Sequence, residues 1–151
     1  MSDTAYIHGT KPSEQERMTD LEFLTAFERC SLPEDQWTHQ AHVRMAWLYL
    51  QQRPLPQAIA VVREGIQRYN ASLNKPLGYH ETITQAFLYL IRHRMQSGET
   101  GQSFETFCLQ NPDLLGRNLA VLRTHYRQET LSSQAARETF VDPDFSPLPA
   151  A

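Results

Sequence analysis

An all-α fold is predicted for this chain of 151 residues, on three observations. Apolar residues return at three- and four-residue steps in one stretch after another. No segment alternates apolar and polar residues over five or more positions, as a half-buried strand would. Proline, glycine and asparagine fall at the edges of the periodic stretches, where they end helices and start turns.

From Asp20, the expected N-cap of the first helix, Leu21, Leu24 and Phe27 recur up to about Ser31, and Leu32-Pro33 ends the run. Glu34 to Gln52 carries Val43, Ala46, Trp47 and Leu50 on one stripe, with Thr38 or Asp35 as its cap, and Arg53-Pro54-Leu55-Pro56 stops it. The third helix runs from about Pro56 to Leu73 with Ile59, Val62, Ile66 and Tyr69 inward, and residues 74–78 turn the chain. A fourth, Tyr79 to about Gln96, uses Ile83, Ala86, Phe87, Leu90 and Ile91; Arg92, His93 and Arg94 in its last turn suit the helix dipole and read as solvated charges.

Beyond Gly101 the elements shorten. Ser103 to Leu109 reads as a brief helix, Asn111-Pro112-Asp113 starts another, and Asn118 to about Arg127 is amphipathic with Leu119, Leu122 and Tyr126 inward. Ser132 or Ser133 caps a last helix from Ala135 to Phe140. The proline-rich segment from Val141 to Pro149 cannot be helical and is expected to pack in extended form, pinned by Phe145 and Leu148. Short connections between the four long helices point to an antiparallel bundle with the C-terminal helices across an end or side. The whole chain, 1–151, reads as one helical domain with 1–18 and 141–151 irregular.

The net charge of -3 gives no basic field for nucleic acid or an anionic membrane, and no apolar stretch approaches the length of a membrane span. The first eleven residues lack the basic start and apolar run of a secretory signal, so a cytoplasmic setting is expected. Cys30 and Cys108, 78 positions apart, have neither zinc-ribbon nor redox spacing and read as reduced thiols near the core.

Two histidine clusters carry the candidate chemistry. His39 and His42 in Trp37-Thr38-His39-Gln40-Ala41-His42 stand three apart, which puts both imidazoles on one helix face, continuous with Val43, Ala46 and Leu50. His80 in Gly78-Tyr79-His80-Glu81-Thr82-Ile83-Thr84 lies on the Thr84, Phe87 and Ile91 line. Two buried histidines side by side each need partners, since an unsatisfied polar group costs roughly 1–3 kcal/mol. If the helices pack together, His39, His42 and His80 supply three ligands to a zinc, iron or manganese ion with open positions, and Glu81 serves as fourth ligand or as general base on bound water. The competing reading is structural: His39 lies half exposed in the first helical turn and His42 bonds one backbone carbonyl or a neighbouring acid, or the histidines satisfy each other and Glu81 across a helix contact.

Trp37, Tyr49, Tyr69 and Tyr79 read as core aromatics, with a pocket lining as the other option. His8 and His93 sit in polar surroundings; His125, between Arg123-Thr124 and Tyr126, is the reserve ligand. Arg117, Arg123 and Arg127 read as a solvated face and receive no role. There is no glycine-rich phosphate loop and no nucleophile elbow.

The combination of Trp37-Thr38-His39-x-x-His42, Gly78-Tyr79-His80-Glu81-Thr82-x-Thr84 and the closing Ala136-Arg137-x-x-Phe140-Val141-x-Pro143-Asp144-x-x-Pro147-Leu148-Pro149 resembles a family of small bacterial all-helical proteins, a resemblance that spans Leu21 to Pro149 and brings no reaction with it. More distantly, histidines from separate helices of a bundle are similar to the DinB-like metal-binding superfamily, which includes thiol-dependent transferases. That superfamily places its histidine pair four apart, whereas here it is three apart. The expectation is therefore a metal-dependent enzyme on a small molecule, of hydrolase, transferase or non-haem iron type. The alternative is a non-enzymatic ligand-binding or protein-interaction module. A small-molecule substrate is the expected partner, with a homodimer left open, and neither nucleic acid nor membrane is expected.

Overall fold

The structure, a computed structural model, describes residues 14–150; His8 and residues 1–13 of the segment expected to be irregular lie outside them, while Glu14–Arg17 of that segment forms a helical turn. Among the described residues the chain is all-helical, without a strand. Eight α-helices follow one another: α1 (Glu14–Arg17), α2 (Asp20–Glu28), α3 (His39–Gln52), α4 (Leu55–Ser72), α5 (Glu81–Ser97), α6 (Phe104–Gln110), α7 (Gln128–Leu131) and α8 (Gln134–Glu138). Single 3-10 turns occupy Glu34–Gln36 and Pro112–Leu115, and a longer, kinked 3-10 segment Arg117–Thr124.

The caps set the boundaries. Thr19, not Asp20, caps α2, and it does so reciprocally: its hydroxyl accepts from Glu22 N and the Glu22 carboxylate accepts from Thr19 N. Thr38 caps α3 by accepting from Ala41 N at 3.2 Å, so the run expected from Glu34 divides into a 3-10 turn and a helix that begins at His39. Proline at the second position starts α4 without wasting a donor. His80 caps α5: its Nδ1 accepts from Ile83 N at 3.1 Å, so the helix starts at Glu81 and not at Tyr79.

α3, α4 and α5, of 14, 18 and 17 residues, pack mutually and carry the core, while the nine-residue α2 lies against α3 and α4. Gly65 allows the closest approach: a Cβ there would stand 2.8 Å from Phe27 Cε2. Arg44 is 6% exposed and pins α2 to α3; its guanidinium donates to Asp20 and the Met18 carbonyl and lies over the Phe23 ring. Tyr49, Tyr69 and Tyr79 are buried, and each hydroxyl donates, to Glu28, to the Leu32 carbonyl and to Glu81 respectively.

Three expectations are corrected. Arg94 is not merely solvated; it donates twice to Asp113, at 2.9 and 2.7 Å, and to Asn111, tying α5 to the Pro112–Leu115 turn. The amphipathic stretch from Asn118 is a 3-10 segment broken at its start, where Asn118 and Leu119 take φ of 56° and 53°. In the tail, Phe145 is 56% exposed under the Arg127 guanidinium, whereas Leu148 packs on the core.

The tail does lie across the helices. Thr82 Oγ1 donates to the Thr139 carbonyl and accepts from Val141 N, Tyr126 Oη donates to the Val141 carbonyl at 2.7 Å, and Asp144 accepts from Arg127 N and Thr130. Cys30 and Cys108 are free and half-buried, and burial pushes the Cys108 thiol up to about 12.

Candidate functional site

The two clusters separate by the atoms their rings have left. His39 stands in the first turn of α3, half-buried, its ring edge-on to Phe87 with centroids 5.2 Å apart. Its Nε2 lies 2.8 Å from the Leu114 carbonyl. A carbonyl only accepts, so Nε2 carries the proton and Nδ1 is the remaining acceptor. His42, one turn on, stacks on Trp37 with ring centroids 3.8 Å apart, and its Nδ1 donates to the Thr38 carbonyl at 2.8 Å. Its Nε2 has no partner among the described residues.

Burial holds His42 well below the ordinary imidazole range, at about 4; the Thr38 carbonyl opposes this and the nearby His39 adds to it. The ring is therefore neutral at pH 7 and Nε2 presents a lone pair.

His80 is fully engaged. Nδ1 accepts from Ile83 N, and Nε2 donates to the Leu131 carbonyl at 2.7 Å, which staples α5 to α7. Glu81 is engaged too. Arg63 grips its carboxylate with two bonds of 2.9 and 2.7 Å, Tyr79 Oη donates to it at 2.8 Å, and Gln85 donates from the next turn. The Arg63 hydrogen bonds hold the Glu81 carboxyl down to about 2 against the opposing effect of burial. A carboxylate so stabilised is a weak base at neutral pH.

The structure thus brings His39 and His42 together and gives His80 and Glu81 to other partners. Among the described residues no group of three or more His, Cys, Asp or Glu side chains could hold a metal ion. The residues present do not fit the three-ligand site: neither ring nitrogen of His80 is free, and every Glu81 oxygen is already neutralised. His125, the reserve ligand, donates from Nδ1 to the Ser146 carbonyl at 2.8 Å and anchors the tail.

His39 and His42 border a cavity of about 300 Å³ between the three long helices. Its walls are Val43 and Ala46 from α3, Val62 and Ile66 from α4, Ile83 and Phe87 from α5, with Leu119 reaching in from the broken 3-10 segment. Of its thirteen lining residues ten are apolar, and His39, His42 and Thr84 are the polar three. Leu119 sits there with a left-handed backbone, a conformation that costs a non-glycine residue on the order of 1 kcal/mol and persists only where packing enforces it.

A larger, open groove of about 590 Å³ has the Arg63–Glu81 pair on its wall, bounded by Leu77, Tyr79, Arg137 and Phe140. Its two arginines are matched by Glu81 and Glu138, so it offers no net charge to a ligand. Leu119, Ile83 and Arg63 were not visible as site residues in the sequence; no spacing connects Arg63 to Glu81, and Leu119 depends on a kink between helices.

No family model, no curated protein and no solved structure matches this chain.

Proposed function

We propose that this chain binds a small, largely apolar molecule in the cavity between α3, α4 and α5, with His39 and His42 as its polar contacts. The observation that carries the reading is a cavity of ligand size, about 300 Å³, with ten apolar walls and a neutral imidazole whose outer nitrogen is unused. Cavities lined this way admit a hydrophobic body and orient it through a few polar atoms. This is the ligand-binding form of the non-enzymatic alternative. The metal-dependent reading has less support, because it would have to be built on His39 and His42 alone.

The test is a two-dimensional NMR titration with toluene, indole and naphthalene, each alone, against the wild-type chain and Ile83→Trp, whose larger ring fills the cavity. Shifts confined to α3, α4, α5 and the segment around Leu119 in the wild type and lost in the variant are expected. Probes that shift nothing there, or that bind Ile83→Trp as well as the wild type, overturn the reading.

A further inference from the structure

The polar atoms on the cavity wall share one property. His39 Nε2 spends its proton on the Leu114 carbonyl, His42 Nδ1 on the Thr38 carbonyl, and Thr84 Oγ1 on the His80 carbonyl at 2.8 Å. Each partner is a backbone carbonyl, which can only accept, so the two imidazole protons are held there, and the Thr84 hydroxyl proton is divided between the His80 carbonyl and Tyr79. What the three side chains have left is His39 Nδ1, His42 Nε2 and an oxygen lone pair of Thr84, all acceptors.

Among the described residues no buried side-chain nitrogen or oxygen lacks a partner, so the free ring nitrogens are accessible, and both residues line the cavity. No lysine, arginine, aspartate or glutamate lines it. An anion would find no donor there. A cation would find no counter-charge among apolar walls, where an unpaired charge is costly.

We infer that the cavity selects an uncharged apolar molecule carrying an N–H or O–H donor, such as an N–H heterocycle or a phenol, over the same shape without the donor. This inference rests on the cavity being a binding site. His42 Nε2 is the principal acceptor: its ring is clamped between Trp37 and the Thr38 carbonyl, so the lone pair is aimed before the ligand arrives. Binding of a molecule without a donor leaves that nitrogen desolvated and unpaired, which the donor relieves.

Indole and indene test this, because they share size and shape and differ in one N–H. Their dissociation constants are measured by NMR titration at pH 7.5 with the wild-type chain and with His42→Phe, which keeps a ring on Trp37 and removes the nitrogens. Indole is expected to bind the wild type about tenfold more tightly than indene. In His42→Phe that preference should fall below threefold, and a preference that stays near tenfold overturns His42 as the acceptor. Equal binding of indole and indene to the wild type overturns this inference and leaves the binding site standing; no binding of either overturns the site itself. Tighter binding of indole-3-carboxylate than of indole also overturns the inference, because an acceptor-only wall cannot hold a carboxylate. If His42→Phe does not fold, the wild-type ratio decides alone.

Discussion

The His42 environment makes the stability of this chain depend on pH in a window that can be worked out. In the unfolded chain the imidazole titrates at 6.5; in the fold it takes a proton only near 4, because burial disfavours the cation. As pH falls from about 7.5, the unfolded state gains a proton that the folded state does not, so the unfolded form is favoured by up to about 1.4 kcal/mol per pH unit. Stability contributed by the neutral ring is complete above 6.5, declines below it, and is fully lost once pH passes 4. The full difference is about 3 kcal/mol, a large part of a typical domain's margin. Other groups titrate too, so the measured quantity is the wild type minus His42→Phe. That variant orphans nothing, since the Thr38 carbonyl still accepts from the residue 42 backbone N–H, at 3.0 Å in the wild type. Urea midpoints followed by circular dichroism at pH 7.5, 6.5, 5.5 and 4.5 should show the wild type losing about 2–3 kcal/mol relative to the variant. Parallel pH profiles would refute a partly buried His42 ring that resists protonation in the fold.

Glu81 acts in a lower window: its carboxyl is held at about 2 against 4.5 in the open chain, so its stabilisation is present above 4.5 and lost as pH falls toward 2, and Glu81→Gln should cost about 2 kcal/mol between pH 6 and 8 and converge on the wild type as pH falls toward 2, which flattens the acid limb of the denaturation profile; an equal deficit at every pH would refute the ionised pair with Arg63. His80→Ala removes a helix cap and orphans the Leu131 carbonyl, and is expected to cost about 2 kcal/mol, of which His80→Asn recovers about half through the cap alone; equal losses in the two would contradict the capping geometry. The thermal midpoint of untagged protein should be indifferent to chelator and to stoichiometric zinc, iron or manganese, and a metal-dependent rise that His42→Ala abolishes would reinstate a metal site. Truncation after Phe140 should lower the midpoint by several degrees, because it deletes the partners of Tyr126 and Thr130 and the packing of Leu148; an unchanged midpoint would make the tail an appendage.

The long helices were legible because their apolar stripes are locally encoded: Val62, Ile66 and Tyr69 on α4 and Ala86, Phe87, Leu90 and Ile91 on α5 are all buried, as their spacing requires. Boundaries were less so. Asp20 and Thr19 are both good caps, and only the reciprocal bond with Glu22 decides between them. Periodicity alone starts α5 at Tyr79, because the apolar pattern carries no mark of a histidine ring nitrogen that accepts from Ile83 N and sets the first residue at Glu81. The kink at Asn118 and Leu119 left no mark in the hydrophobic pattern, since leucine in a left-handed conformation is held by packing and not by propensity. Of the candidate site, helical spacing correctly joined His39 to His42 along a face that reaches the interior. It could not assign His80 or Glu81, because their partners, the Leu131 carbonyl and Arg63, lie 51 and 18 positions away.

Why three histidines stand where they do follows from the C-terminal third. Helices of four or five residues, and single 3-10 turns, leave nearly all their carbonyls without an intrahelical donor. Buried in a core, such carbonyls need donors that reach them from the long helices. His39 supplies one to Leu114 near the end of its 3-10 turn, and His80 supplies one to Leu131 at the end of α7. Thr82 does the same for Thr139 beyond α8, while His125, outside the long helices, donates to the exposed Ser146 carbonyl and holds the tail. A planar ring with a rigid N–H spans such a gap with only two rotatable bonds, where a lysine would bring a charge that has to be paired. His42 departs from the pattern: its donated proton goes to a carbonyl of its own helix turn, one that the residue 42 backbone N–H already satisfies. No structural debt explains that bond, whose effect is to fix the tautomer and leave Nε2 free beside the cavity. Of the histidines in the two clusters, it is therefore the one whose role the packing of the chain alone does not account for.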